Sequence, residues 1–222
     1  MPEITVHHLE QSRSHRVLWL LEELEVAYEM KTYARERDMR APASFKKLHP
    51  MGKAPLVEID GQMLAESGAI VEELVDRFGP RLRPEAGTEE HWRYRHFVHY
   101  AEGSLMPTLL VRLVTHKVKE AKLPFFVRPI ANGIVDKIDA QYTQPEIDNH
   151  LRFMEGELEG RAYFASDDLT GADVQMSYPV AAMVDRIGLG DGQPNLRAWL
   201  ERIRERPAYQ RAVERGGPPI PS

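Results

Sequence analysis

The spacing of apolar residues changes period several times in the first eighty positions. Ile4-Thr5-Val6-His7 has β character and predicts a strand over 3–8. Val17, Leu18, Leu21 and Leu24 then fall at i, i+1, i+4 and i+7, which predicts a helix over 14–26 with Arg16, Glu22 and Glu23 off the buried stripe. A second strand is expected over 28–33, followed by a basic, irregular stretch, RERDMRAPASFKKLHP. APLVEID and QMLA read as two short strands around the turn Asp60-Gly61. Ile70, Val71, Leu74, Val75 and Phe78 supply the stripe of a helix from Ser67 to Phe78.

Beyond Phe78 the pattern becomes helical throughout. GPRLRPEAGTEEH carries two prolines and two glycines between periodic segments and reads as a linker. Helices are expected over 89–119, kinked at Pro107, then over 125–142, 145–159, 171–186 and 194–205, with a short one after Pro207. Thr170 and Asp173 have capping-box spacing at the start of the 171–186 helix. The expected organisation is an α/β domain over 1–80, a linker over 81–88 and an all-helical domain over 89–222.

Composition narrows the function classes. The chain has 222 residues, enough to bury a substantial core, and a net charge of −5, which argues against non-specific nucleic-acid or anionic-membrane binding. No apolar run approaches the ~18 residues of a membrane span, and the first residues lack a signal-peptide pattern, so a cytoplasmic location is expected. There is no cysteine, so any thiol chemistry must use a thiol brought in by a ligand. His91, His96 and His99 are spaced so that only part of the set shares a helix face, and no metal site is expected.

The junction between the first strand and first helix holds two serines and two arginines in SRSHR. Serines there can cap the helix, or can present a hydroxyl beside an anion held at a helix N-terminus.

Three segments together give a stronger identification. SRSHRVLWLLEEL, HPMGKAPLVEIDGQMLAESGAIVEEL and LTGADVQMSYP resemble cytosolic glutathione transferases, with the Gly-x-x-Pro of GKAPLV, the Glu-Ser pair of AESGAI and the capping motif LTGAD. The opening SRSHRVLWLL and the segment YAEGSLMP are most similar to a fungal and proteobacterial subgroup with a serine-type site. The resemblance implies a thioredoxin-like α/β N-terminal domain, an all-α C-terminal domain, glutathione as co-substrate without a metal, and a homodimer.

It also implies roles for particular residues. Pro55 would be cis, leaving the Ala54 backbone to pair with the cysteinyl part of glutathione. Glu66 and Ser67 would take the γ-glutamyl ammonium and carboxylate at a helix N-terminus. Arg40, Lys53 and His49 would serve the glycyl carboxylate, and Glu102 would reach the partner subunit's glutathione amine. Ser12 or Ser14 would donate to the sulfur, with Arg13 between them as a further stabiliser. A thiol of pKa near 8.5 is only ~3% ionised at pH 7, so a shift of ~2 units, roughly 2.7 kcal/mol, makes the bound thiol a nucleophile. The tyrosine that other members place near the end of the first strand is replaced by His7 and His8. Met106, Leu109, Leu110 and Leu113 could wall a pocket for a hydrophobic electrophile, or simply be core. The implied activity is attack of glutathione on hydrophobic electrophiles or organic hydroperoxides; a non-catalytic binding protein on the same fold is the alternative.

Overall fold

The computed structural model describes residues 2–220. Four strands, β1 (Ile4–Leu9), β2 (Glu29–Tyr33), β3 (Leu56–Ile59) and β4 (Gln62–Ala65), form one sheet in the order β2-β1-β3-β4. β1 runs parallel to β2, with Thr5 opposite Glu29, and antiparallel to β3, with Ile4 opposite Ile59. β3 pairs antiparallel with β4 through the expected turn. Every residue of the central β1 is buried, because helices cover both faces. Ile4, Val6, Val57 and Ile59 pack with α1 (His15–Glu23) and α3 (Ser67–Phe78). Leu9 and Leu56 instead pack with Ala41 and with Phe45 of α2 (Ala43–Lys46), a single turn inside the stretch read as irregular. This is a thioredoxin-like α/β arrangement.

The rest of the described chain is helical: α4 (Glu89–Tyr100), α5 (Met106–Glu120), α6 (Arg128–Ile138), α7 (Gln144–Glu157), α8 (Gly171–Ile187), α9 (Pro194–Arg204) and α10 (Pro207–Gly216). Two of the breaks share one cause. Between α4 and α5, and again between α6 and α7, the chain takes one wide π turn, at Ala101–Leu105 and Asp139–Thr143. Each is followed two residues later by a proline, Pro107 or Pro145. Proline donates no N–H and its ring collides with the carbonyl four residues back, here Gly103 or Gln141. The wider turn relieves both problems without ending the helix. Pro107 is therefore accommodated by a local change of helix type just before it.

α1 departs from the expected amphipathic pattern. All its residues except Glu22 are buried, including Arg16, because α8 and α10 pack against the side that faces away from the sheet. Glu22 binds Arg211 and Arg215, and Glu23 binds Arg206 and the Trp19 indole, so the off-stripe charges are met by partners from α10 and the segment before it. α8 starts at the predicted capping box. Asp173 accepts from the Thr170 N–H at 3.0 Å and the Thr170 hydroxyl at 2.9 Å, and also from the Phe164 N–H and the Trp199 indole. Four donors match an ionised carboxylate and offset the burial that pushes its pKa up. None of the helices among the described residues is long and apolar enough to cross a membrane.

Candidate active site

A cavity of about 400 Å³ opens where the C-terminal end of β1, the loop before β3, the start of α3 and the α4–α5 segment converge. Ser12, Arg13, His49, Lys53, Ala54, Pro55, Glu66, Ser67 and Glu102 all line it. Two expected residues do not. Ser14 is fully buried behind Ser12, and Arg40 is exposed, paired with Asp38. Arg35, Tyr178 and Leu110 also line the cavity.

The Ala54-Pro55 peptide is cis. Gly52, at φ +55°, could not carry a side chain there, since a Cβ would lie 2.8 Å from Lys46 Cγ. Glu66 has φ +71° and ψ +116°, a conformation that costs a non-glycine residue about 1–3 kcal/mol. Backbone strain of this kind concentrates at ligand-binding positions. Immediately after it, Ser67 starts α3, where backbone N–H groups and the helix dipole favour an anion.

Hydrogen-bond accounting fixes what the Ser67 hydroxyl can do. It accepts from Arg16 Nη1 at 3.2 Å and from Gln175 Nε2 at 3.0 Å. Both lone pairs are then used, and its one proton is left to donate. Ser67 thus faces the cavity as a donor, suited to a carboxylate. Arg16, which lies off the buried stripe of the sequence pattern, is part of this support. It is wholly buried, and its other end binds Glu102 at 2.9 Å. Glu102 also accepts from Arg13 Nε at 3.0 Å on both oxygens. Its carboxylate therefore bridges two arginines of its own chain. Both guanidinium groups lie over the Tyr178 ring, 5.5 and 5.4 Å from its centre. Desolvation lowers the Arg16 pKa to about 10, with the Glu102 charge opposing that fall.

Neither serine is exposed. Ser12 Oγ donates to the Leu9 carbonyl at 2.6 Å, accepts from the Ser14 N–H at 3.2 Å and lies 2.8 Å from Ser14 Oγ. Ser14 Oγ in turn is 2.9 Å from His8 Nδ1, and His8 Nε2 is 2.8 Å from the carbonyl of Gly216, the last residue of α10. Neither hydroxyl caps α1. No group of three or more potential metal ligands occurs among the described residues. The four residues suggested as a pocket wall divide: Met106 and Leu109 are buried in the core, Leu113 is partly buried, and Leu110 reaches the cavity.

Comparison with known proteins places both halves of the chain in one family. The family model for the glutathione S-transferase N-terminal domain matches residues 1–75, and that for the C-terminal domain matches residues 114–207. The chain belongs to the glutathione S-transferase family. Among curated relatives of this family member, Glutathione S-transferase 1 of Saccharomyces cerevisiae is 33% identical, over 97% of this chain and 96% of its own length. Glutathione S-transferase 3 of Schizosaccharomyces pombe is 37% identical, over 96% and 87% respectively. A solved glutathione S-transferase from Actinobacillus pleuropneumoniae is 34% identical, covers 96% of this chain and 92% of its own, and superposes with a TM-score of 0.81. The family uses glutathione as co-substrate.

Arg16, Gln175, Tyr178 and Arg35 were not foreseen as site residues. Arg16 lies in the strand–helix junction SRSHR, and its place beside the apolar run Val17–Leu21 is the signal the sequence carries. Gln175 lies 108 residues from Ser67, and nothing in its local pattern marks it.

Proposed function

We propose that this chain binds glutathione in the cavity, activates its thiol as the thiolate, and transfers it to hydrophobic electrophiles. The observation that carries the reading is Ser12. Of the two candidate hydroxyls it is the one that lines the cavity, at the N-terminal end of α1, where a sulfur anion gains from the helix dipole. The donor face of Ser67 suits the γ-glutamyl carboxylate and Glu66 its ammonium, while the Ala54 backbone is available to the cysteinyl unit. Lys53, which lines the cavity together with His49, supplies charge for the glycyl carboxylate. Arg40 has no part in this arrangement. Glu102 binds Arg13 and Arg16 and, in this reading, holds the donors that prime Ser67.

Leu110 and Met51 support an apolar second substrate: both line the cavity and remain 53% and 63% exposed. Organic hydroperoxides are a second class that the same thiolate can attack. The functional unit in this reading is a cytoplasmic homodimer with α4, which exposes Trp92, at the contact.

The test is a pH titration of the ultraviolet thiolate absorbance of bound glutathione, together with conjugation to an activated haloaromatic compound. A bound-thiol pKa well below 8.5 that rises by at least a unit in Ser12→Ala is expected. Binding with an unshifted pKa in the wild-type protein refutes catalysis and leaves a glutathione-binding protein.

A further inference from the structure

Behind Ser12 the hydrogen bonds form a continuous path to the far end of the chain, and their directions can be assigned. The Gly216 carbonyl can only accept, so His8 Nε2, 2.8 Å away, carries a proton. In the neutral imidazole Nδ1 is then the acceptor. Ser14 Oγ has two acceptors for its single proton, His8 Nδ1 at 2.9 Å and the Leu9 carbonyl at 3.2 Å; only donation to the nearer Nδ1 avoids two facing lone pairs, and Ser14 then accepts from Ser12 at 2.8 Å. Ser12's own proton has two inward acceptors, Ser14 Oγ and the Leu9 carbonyl. Whichever it takes, and with one lone pair accepting from the Ser14 N–H, Ser12 Oγ, which lines the cavity, keeps one lone pair and no free proton. At rest this serine is set to receive a proton rather than to give one.

We propose that Ser12, Ser14 and His8 form a proton relay that takes the glutathione thiol proton inward and stores it on His8. The inference rests on the thiolate reading above. In the transfer the S–H bond breaks and an O–H bond forms on Ser12. The original Ser12 proton, turned from the Leu9 carbonyl toward Ser14 Oγ, passes to that oxygen, and the original Ser14 proton passes to His8 Nδ1. The products are a thiolate and an imidazolium, with no proton lost to solvent. Ser12 ends with its new O–H directed at the sulfur, so the relay itself creates the donor that the thiolate needs. Ser14 and His8 touch no substrate and act through Ser12 as positioning residues.

The surroundings of His8 suit this role. Burial favours its neutral form, which keeps Nδ1 open in the resting state. The imidazolium, once formed, donates to a carbonyl at the C-terminus of α10, where the helix dipole favours a cation. The ionisable groups facing it are Glu10, which favours the cation, and His15 of α1, itself buried and held neutral. A Cβ on Gly216 would fall 3.2 Å from the His8 ring and 2.4 Å from Leu18 Cδ1, so a larger residue there would have to shift Leu18 and crowd His8.

The decisive measurement uses the wild-type protein labelled with ¹⁵N-histidine, observed by NMR at pH 7.5 with and without glutathione. The His8 resonances are assigned by their loss in His8→Gln, and thiolate absorbance is read on the same samples. The expected result is a neutral His8 protonated at Nε2 in the free protein, converting to the imidazolium with glutathione. S-methylglutathione, which has no thiol proton, should leave it neutral. Ser14→Ala should abolish the conversion while glutathione still binds. Thiolate formation with His8 still neutral overturns the relay and leaves the proposed function standing. An imidazolium that persists in Ser14→Ala, or forms with S-methylglutathione, also overturns it. Absence of any thiolate in the wild-type complex overturns the function and the relay together.

Discussion

Removing the Glu102 carboxylate unpairs a guanidinium that has no route to water. Arg16 is 0% exposed, and its Nε finds no partner even in the intact protein. Its pKa falls from 12.5 to about 10 with Glu102 in place. At about 1.4 kcal/mol per unit, that is roughly 3 kcal/mol borne by the folded state at every pH below the folded pKa. Breaking a buried pair costs about 3–5 kcal/mol. Glu102 is 31% exposed and shares its charge with Arg13, which places Glu102→Ala near the lower end, about 3 kcal/mol. Arg16→Met removes the buried charge and keeps the bulk, while Arg13 continues to hold Glu102. It should stay within about 1 kcal/mol of wild type. The double variant should then recover about 2 kcal/mol relative to Glu102→Ala alone. Urea unfolding at pH 7.5 and fixed protein concentration reads these differences, with a midpoint shift of about 1 M expected for Glu102→Ala. The reasoning fails if Arg16→Met is as damaging as Glu102→Ala, or if the double variant recovers nothing.

Two other outcomes follow from buried polar groups. Asp173→Asn turns an amide NH₂ toward donors that need an acceptor, so about 3 kcal/mol should be lost, lowering Tm by roughly 6–12 °C by calorimetry. A drop below about 3 °C would contradict the four-donor description. His15 has a folded pKa lowered by burial to about 3, so the folded state binds fewer protons than the unfolded state between that value and 6.5. Stability is complete above 6.5 and is lost as pH falls below it, by roughly 2 kcal/mol at pH 5. His15→Leu should flatten this part of the urea-midpoint profile between pH 7.5 and 5; an unchanged slope would show that His15 does not supply it.

Local pattern carried most of the fold. The strands, α3 and the capping box of α8 lie close to where periodicity and turn chemistry place them, because each is decided by neighbours within a few residues. The errors arise where distant chain decides. Arg16 and Glu23 look like solvated positions on α1 until α8 and α10 cover them. The short helix around Phe45 has only one turn, too little for a period to register. Pro107 signals a disturbance in its helix, but whether the backbone kinks or widens depends on packing. In the cavity, Ser12, Lys53, Ala54, Pro55, Glu66 and Ser67 were named because the family motifs contain them. Gln175 and Tyr178 come from the helical half, where single polar residues carry no motif. Arg40 was named for its charge in a basic stretch, and the loop that carries it turns its side chain to Asp38 and solvent.

The contact between His8 and Gly216 has a consequence in time. A ribosome makes β1 first and reaches its partner carbonyl 208 residues later, roughly 10–40 s at ordinary elongation rates. Throughout that interval the nascent first half lacks the helix that buries α1, and the histidine that ends the path from Ser12 lacks the backbone carbonyl that accepts its Nε2 proton. Cutting the chain before residue 207, though it would leave every cavity-lining residue in place, would return the finished protein to that immature condition.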